Sequence, residues 1–141
     1  MCFLCFVVLL VLRMDEEIYK ENILDRYKHP RNKKAPEKYD IHEGGANATC
    51  GDALIVFLSF DENGVITEAH WDGEGCAVSQ ASADMLMDKL IGKTMEQVGL
   101  INEEEIKEML GITIGPSREK CAYLSMNTLR RWLGEPQFGP L

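Results

Sequence analysis

The stretch from Ala53 to Trp71 leaves this chain few choices. Ala53–Phe60 alternates, with Leu54, Val56, Leu58 and Phe60 on one face and Ala53, Ile55, Phe57 and Ser59 on the other. That is the period of a half-buried strand. Asp61-Glu62-Asn63-Gly64 supplies a hairpin turn, and Val65–Trp71 returns as the antiparallel partner. A hairpin brings the residues before its first strand to the same end of the sheet as the residues after its second. Here those ends are Asn47-Ala48-Thr49-Cys50-Gly51-Asp52 and Asp72-Gly73-Glu74-Gly75-Cys76. Cys50 can therefore be a near neighbour of Cys76 despite their separation in sequence.

The flanking segments read mainly as helices. In Asp15–Lys28, Tyr19, Ile23 and Tyr27 recur every four residues and Ile18 and Leu24 widen the stripe, which predicts an amphipathic helix ending before Pro30. Arg31–Lys38 reads as a basic, solvated linker, and Tyr39–Ala46 as an irregular first strand loosened by Gly44 and Gly45. A helix runs from Cys76 to about Leu90, with Val78, Ala81, Met85 and Leu86 facing inward. Met95–Leu110 holds one or two short acidic helices. Pro116 opens a last helix to Leu133, since proline suits a first helical turn. Its face Ala122, Met126, Leu129 and Leu133 lies beside Cys121. The tail 135–141 is expected to be loose.

Length fits one domain, 14–134, preceded by the apolar stretch 1–13. The run Cys2–Leu12 is too short to cross a bilayer, which takes about twenty residues. It lacks the basic start and small-residue cleavage site of a secretory signal. Residues 1–13 are expected to come from a mis-called upstream start, with Met14 as the true one; a short hydrophobic anchor is the alternative. With 23 acidic against 15 basic residues the chain would repel phosphate backbones, which argues against nucleic-acid binding. Membrane association is not expected.

Five cysteines is an odd number in a chain too large to need disulfide staples. Reduced thiols in the cytoplasm fit better, and widely spaced cysteines there more often bind metal or react than form disulfides. Each could equally be a small buried hydrophobe. Cys76 would sit at a helix N-terminus, where free N–H groups and the dipole favour thiolate. Cys121 falls in a second helical turn, flanked by the basic residues Arg118 and Lys120. Asp52 could serve as a ligand or only as a turn former after Gly51. Taken singly, no spacing here is a metal signature, and whether Cys50, Cys76 and Cys121 converge stays open at this level. His29, His42 and His70 read as surface or strand positions, with His42 kept as a substitute ligand. Trp71 and Trp132 read as packing residues, and Ser79 and Ser82 as helix-start residues without catalytic roles.

Four segments in order carry a resemblance: Tyr27-Lys28-His29-Pro30-Arg31-Asn32; Asn47-x-x-Cys50-Gly51-Asp52; Gly73-x-Gly75-Cys76-Ala77-Val78-Ser79-x-Ala81-Ser82-Ala83; and Lys120-Cys121-Ala122-x-Leu124. From about Ile18 to Leu133 the chain resembles the U-type iron–sulfur cluster assembly family, which includes IscU, SufU and the N-terminal domain of NifU. The resemblance implies an α+β fold, a small antiparallel three-stranded sheet with helices packed on one face. It implies Cys50, Asp52, Cys76 and Cys121 as ligands of a transient [2Fe–2S] cluster or of Zn2+. It further implies Cys121 as the acceptor of sulfur from a cysteine desulfurase, delivery to apo iron–sulfur acceptor proteins, and a monomer or cluster-linked dimer. Three thiolates with one harder carboxylate would hold a cluster less firmly than the usual four cysteines, which suits a scaffold that gives it up.

The chain departs from the IscU pattern in having Lys120 where a histidine precedes the third cysteine. It also seats Ala48 where many relatives have proline. Lysine there is closer to SufU, but Lys93–Pro116 is too short for the insertion usual in that branch. The sequence thus carries two readings, a cluster scaffold and a zinc-dependent sulfur acceptor with sulfurtransferase activity. A structural zinc domain for protein contacts is a third.

Overall fold

The computed structural model describes residues 3–47 and 51–138. In chain order these form α1 (Phe3–Lys28), β1 (Ile41–Asn47), β2 (Asp52–Phe60), β3 (Ile66–Glu74), α2 (Ala77–Leu90), α3 (Met95–Gly99), α4 (Glu103–Leu110) and α5 (Pro116–Leu133). The strands make one antiparallel sheet in the order β1-β2-β3, the α+β class expected from the sequence.

The alternation in β2 decides which face is covered. Leu54, Val56 and Leu58 are buried, and across from Val56 and Leu58 stand Trp71 and Ala69, also buried. The opposite face keeps Ile55 exposed, while Phe57 is sheltered by the rings of Tyr39 and His42. Helices α2 and α5 lie on the apolar face and meet where the Ser82 hydroxyl donates to the Ala122 carbonyl at 2.6 Å. At Gly45 the two layers come so close that a Cβ would run into the Thr128 side chain. Of the glycine pair that loosens β1 in sequence, Gly45 is thus the one that admits α5 against the strand.

One buried carboxylate ties the first helix to this body. Asp84 in α2 has no exposure, yet its oxygens accept from Arg26 Nη1 at 2.8 Å, the Arg31 amide at 3.1 Å, the Asn32 amide at 2.8 Å and Trp71 Nε1 at 3.0 Å. Asn32 also donates to the Asp84 carbonyl and to Asp88. The segment expected to be a solvated linker is therefore bound. Asn32 and Lys34 hydrogen-bond to the Trp71 backbone, covering part of the outer edge of β3. Lys33 places its ammonium 5.1 Å from the Trp71 ring.

Two further expectations change. The helix predicted from Asp15 begins at Phe3 and runs unbroken to Lys28. Of its predicted stripe only Ile23 is buried; Ile18, Tyr19, Leu24 and Tyr27 are exposed. Ile23 and Arg26 dock its last turns, and Tyr19 rests its ring beside Gly111, while the stripe stays largely exposed. Among the described residues no helix is long and apolar enough to cross a membrane. At the other end, residues 135–138 are not loose. Asn127 clamps the Phe138 backbone with two hydrogen bonds, 2.6 and 3.1 Å, and the Phe138 ring packs on Tyr123 and Arg130.

The Arg26 cluster gives the fold an acid-sensitive element. Partial burial alone would raise the Asp88 carboxyl, but hydrogen bonds from Asn32 and Arg26 and the charges of Arg26 and Arg31 outweigh it, holding it below its ordinary value of 3.8. The unfolded chain then binds this proton more readily than the folded one. The contribution is complete above 3.8 and is lost as pH falls through the lower folded value. Urea melts from neutral pH down to about 3 should show the wild type's advantage over Asp88→Asn shrinking below 3.8. An advantage that grows with acid would contradict the assignment.

Candidate metal centre

Three elements deliver three donors to one end of the sheet. Asp52 opens β2, opposite Asn47 in the register, and is 1% exposed. Cys76 is the N-cap of α2, in extended backbone, and its sulfur accepts from the Ser79 amide at 3.4 Å. Cys121 lies in the second turn of α5 and is 1% exposed. One carboxylate oxygen of Asp52 and the sulfurs of Cys76 and Cys121 all lie within 4.8 Å of one another. Cys50, the remaining sequence candidate, lies outside the described residues.

The approach of Asp52 to α2 is built into the backbone. Its Oδ1 accepts from the Cys76 amide at 2.9 Å. A Cβ on Gly75 would meet that oxygen at 2.6 Å, so only glycine lets the carboxylate sit against the helix start. Gly73, at φ +140, lies so close to the Ala53 and Leu54 backbone that a side chain has no room. The side chain of Gln80 fixes the same turn by donating to the Gly75 carbonyl at 2.8 Å. In sequence, Gly73 and Gly75 mark only an irregular loop; their task of accommodating a carboxylate depends on a residue in another strand.

These donors fit a metal ion. Asp52 Oδ2 is buried and has no hydrogen-bond partner among the described residues, an expensive state for a carboxylate oxygen unless something electropositive faces it. The Cys76 sulfur already accepts from a backbone amide, that of Ser79, at the N-terminus of α2. Two sulfurs about 2.3 Å from a shared tetrahedral ion stand ~3.8 Å apart, so a small closure would bring these donors onto one ion. Soft thiolates with one carboxylate suit zinc or iron.

The histidines stand apart from this centre. His29 is exposed. His42 lies on the outer face of the sheet, paired with Phe57, whereas Asn47 and Asp52 belong to the covered face. The odd number of steps from His42 to Asn47 alone puts them on opposite faces, so His42 is not a substitute ligand. Arg118 and Lys120 are exposed on the turn around Cys121.

Fold and site together define a class: a small α+β domain whose sheet end gathers two thiols and a carboxylate able to hold a metal ion. More particularly, the chain belongs to the NifU-like N-terminal domain family, whose model matches residues 18–135. It is similar to the iron–sulfur cluster assembly scaffold protein IscU of Thermotoga maritima, 33% identical over 135 residues covering 82% of this chain and 92% of the relative. It is also similar to the zinc-dependent sulfurtransferase SufU of Bacillus subtilis, 28% identical with 88% and 95% covered. Among solved structures, FiSufU of Fervidobacterium islandicum, titled for a scaffold role in the SUF system, superposes with a TM-score of 0.66 at 29% identity, covering 82% of this chain and 96% of that one.

Proposed function

We propose that this chain is an iron–sulfur cluster assembly scaffold. It accepts sulfur from a cysteine desulfurase, holds a labile [2Fe–2S] cargo on Cys50, Asp52, Cys76 and Cys121, and passes it to apo acceptor proteins. The observation that carries the reading is the convergence of Asp52, Cys76 and Cys121, with a buried carboxylate oxygen facing no donor. Relatives named as scaffolds support it. Cys50 enters through its place in the matched domain, two residues before Asp52.

The residue types suit a cargo that must leave. Thiolates bind iron firmly and the carboxylate binds it less so. Asp52 is already tethered through Oδ1 to the Cys76 amide, leaving Oδ2 as its donor. Sulfur arrives when the Cys121 thiolate attacks the outer sulfur of a persulfide on the desulfurase. The S–S bond breaks, the desulfurase cysteine leaves as thiolate, and the outer sulfur stays on Cys121. Because Cys121 is 1% exposed, docking of the desulfurase must open the site first. The working domain is 14–134, it acts in the reducing cytoplasm, and the cargo can be held by a monomer or shared between two copies.

A second reading is supported by Lys120 directly before Cys121 and by the relative named a zinc-dependent sulfurtransferase. There, resident zinc would be held by the same four side chains and would keep its thiol ligands deprotonated. Metal content after anaerobic purification, with Asp52→Ala beside the wild type, separates the readings. The scaffold predicts iron with labile sulfide, retained longer in Asp52→Ala. Near-stoichiometric zinc that survives iron and sulfide would transfer the assignment to the relay.

A further inference from the structure

Beside the sulfur site, β1, α5 and the returning tail line a half-open cavity of about 230 Å³. Lys120, Leu124 and Arg131 line it from α5, Asn47 from β1, and Gln137 and Phe138 from the tail. It adjoins the metal centre at two points: Lys120 precedes Cys121, and Asn47 is the register partner of Asp52. In a chain with 23 acidic residues, none of the residues lining this cavity is acidic and two are cations. Lys120 makes no ion pair among the described residues. Arg131 is held at the rim of β1 by Glu43 at 3.2 Å and by the Gly44 carbonyl. The third wall is fixed, because Asn127 and Arg130 pin Phe138 against α5.

Lys120, an amide and an apolar floor of Leu124 and Phe138, with Arg131 shared with Glu43 at the rim, select a small carboxylate. The volume falls below the roughly 300–1,000 Å³ of drug-sized pockets, which limits the occupant to about amino-acid or dipeptide size. We propose that this cavity binds a small carboxylate-bearing thiol of cysteine's size, anchored by Lys120 and Arg131 with its soft end toward the Cys121 side. The carboxylate half of this assignment stands on the cavity alone; the thiol half rests on the sulfur chemistry proposed above.

The test is a titration of the full-length chain, isotopically labelled and kept anaerobic, with L-cysteine. Side-chain amide shifts of Asn127 and Gln137 report on the cavity. Cysteine should bind saturably, and cysteamine (no carboxylate) and serine (no thiol) should each bind at least tenfold more weakly. Lys120→Ala and Phe138→Ala should each weaken cysteine at least tenfold. Absence of saturable shifts, or equal binding of serine and cysteine, overturns the proposal. The titration is repeated on metal-free Cys76→Ser protein. Shifts that persist there place the ligand in the cavity, whereas their disappearance means cysteine binds only the metal and sinks the idea. Metal content in the same wild-type samples judges the scaffold reading separately.

Discussion

Replacing Asp84 by alanine should remove about 3–5 kcal/mol of stability, the usual penalty for breaking a buried charge pair by deleting one partner. The expectation follows from what is stranded. Arg26, whose side chain is 14% exposed, loses the acceptor for Nη1. The indole N–H of Trp71, itself fully buried, loses its acceptor, and so do the amides of Arg31 and Asn32. Each unsatisfied buried donor is worth about 1–3 kcal/mol. Urea unfolding should show a lower midpoint with little change of slope. Asp88→Ala is the comparison, since Asp88 meets the same Arg26 from a side chain 47% exposed, and an exposed pair contributes under about 1 kcal/mol. If the two variants lose equal stability, Asp84 is not the point where α1, the Arg31–Lys34 segment, β3 and α2 are joined.

That joint shows where sequence reading runs out. Asp84 sits among Ser82, Met85 and Asp88, and nothing local separates it from a solvent-facing helical acid. Its partners lie 52 to 58 residues upstream in the chain, apart from Trp71, so no periodicity carries the signal. The apolar stripe of α1 misleads for a related reason. Period-four spacing reports amphipathicity, not how much of the face is buried, and of this stripe only Ile23 is. The elements around the metal centre were more legible because each has a local cause. The Asp61–Gly64 turn sets the hairpin, glycines precede Cys76 at a helix start, and Pro116 opens α5 one turn before Cys121. What those causes do not contain is the convergence of Cys76 and Cys121, which needs α5 to cross over β1. Family resemblance supplied that link in advance, and the passage past Gly45 accounts for it physically.

Cys76→Ser separates the metal centre from the fold more cleanly than any other change, and zinc affinity should fall by more than about 100-fold, beyond what losing an outer-shell partner does. Serine is a preferred N-cap and its oxygen can accept from the Ser79 amide as the sulfur does now. Cys76 is also only partly buried, so the helix start should survive and metal-free stability should change by less than about 0.5 kcal/mol. Cys121→Ser is not so simple. The position is 1% exposed against an apolar helix crossing, and a hydroxyl there disturbs packing as well as ligation. Both variants should lose metal, while Cys121→Ser alone should also lower the urea midpoint of the metal-free protein. Competition against a chromophoric chelator measures the first effect and denaturation in excess chelator the second. A Cys76→Ser protein that keeps wild-type zinc affinity would leave the convergence of Asp52, Cys76 and Cys121 as packing, with the buried Asp52 oxygen answered by something other than a metal.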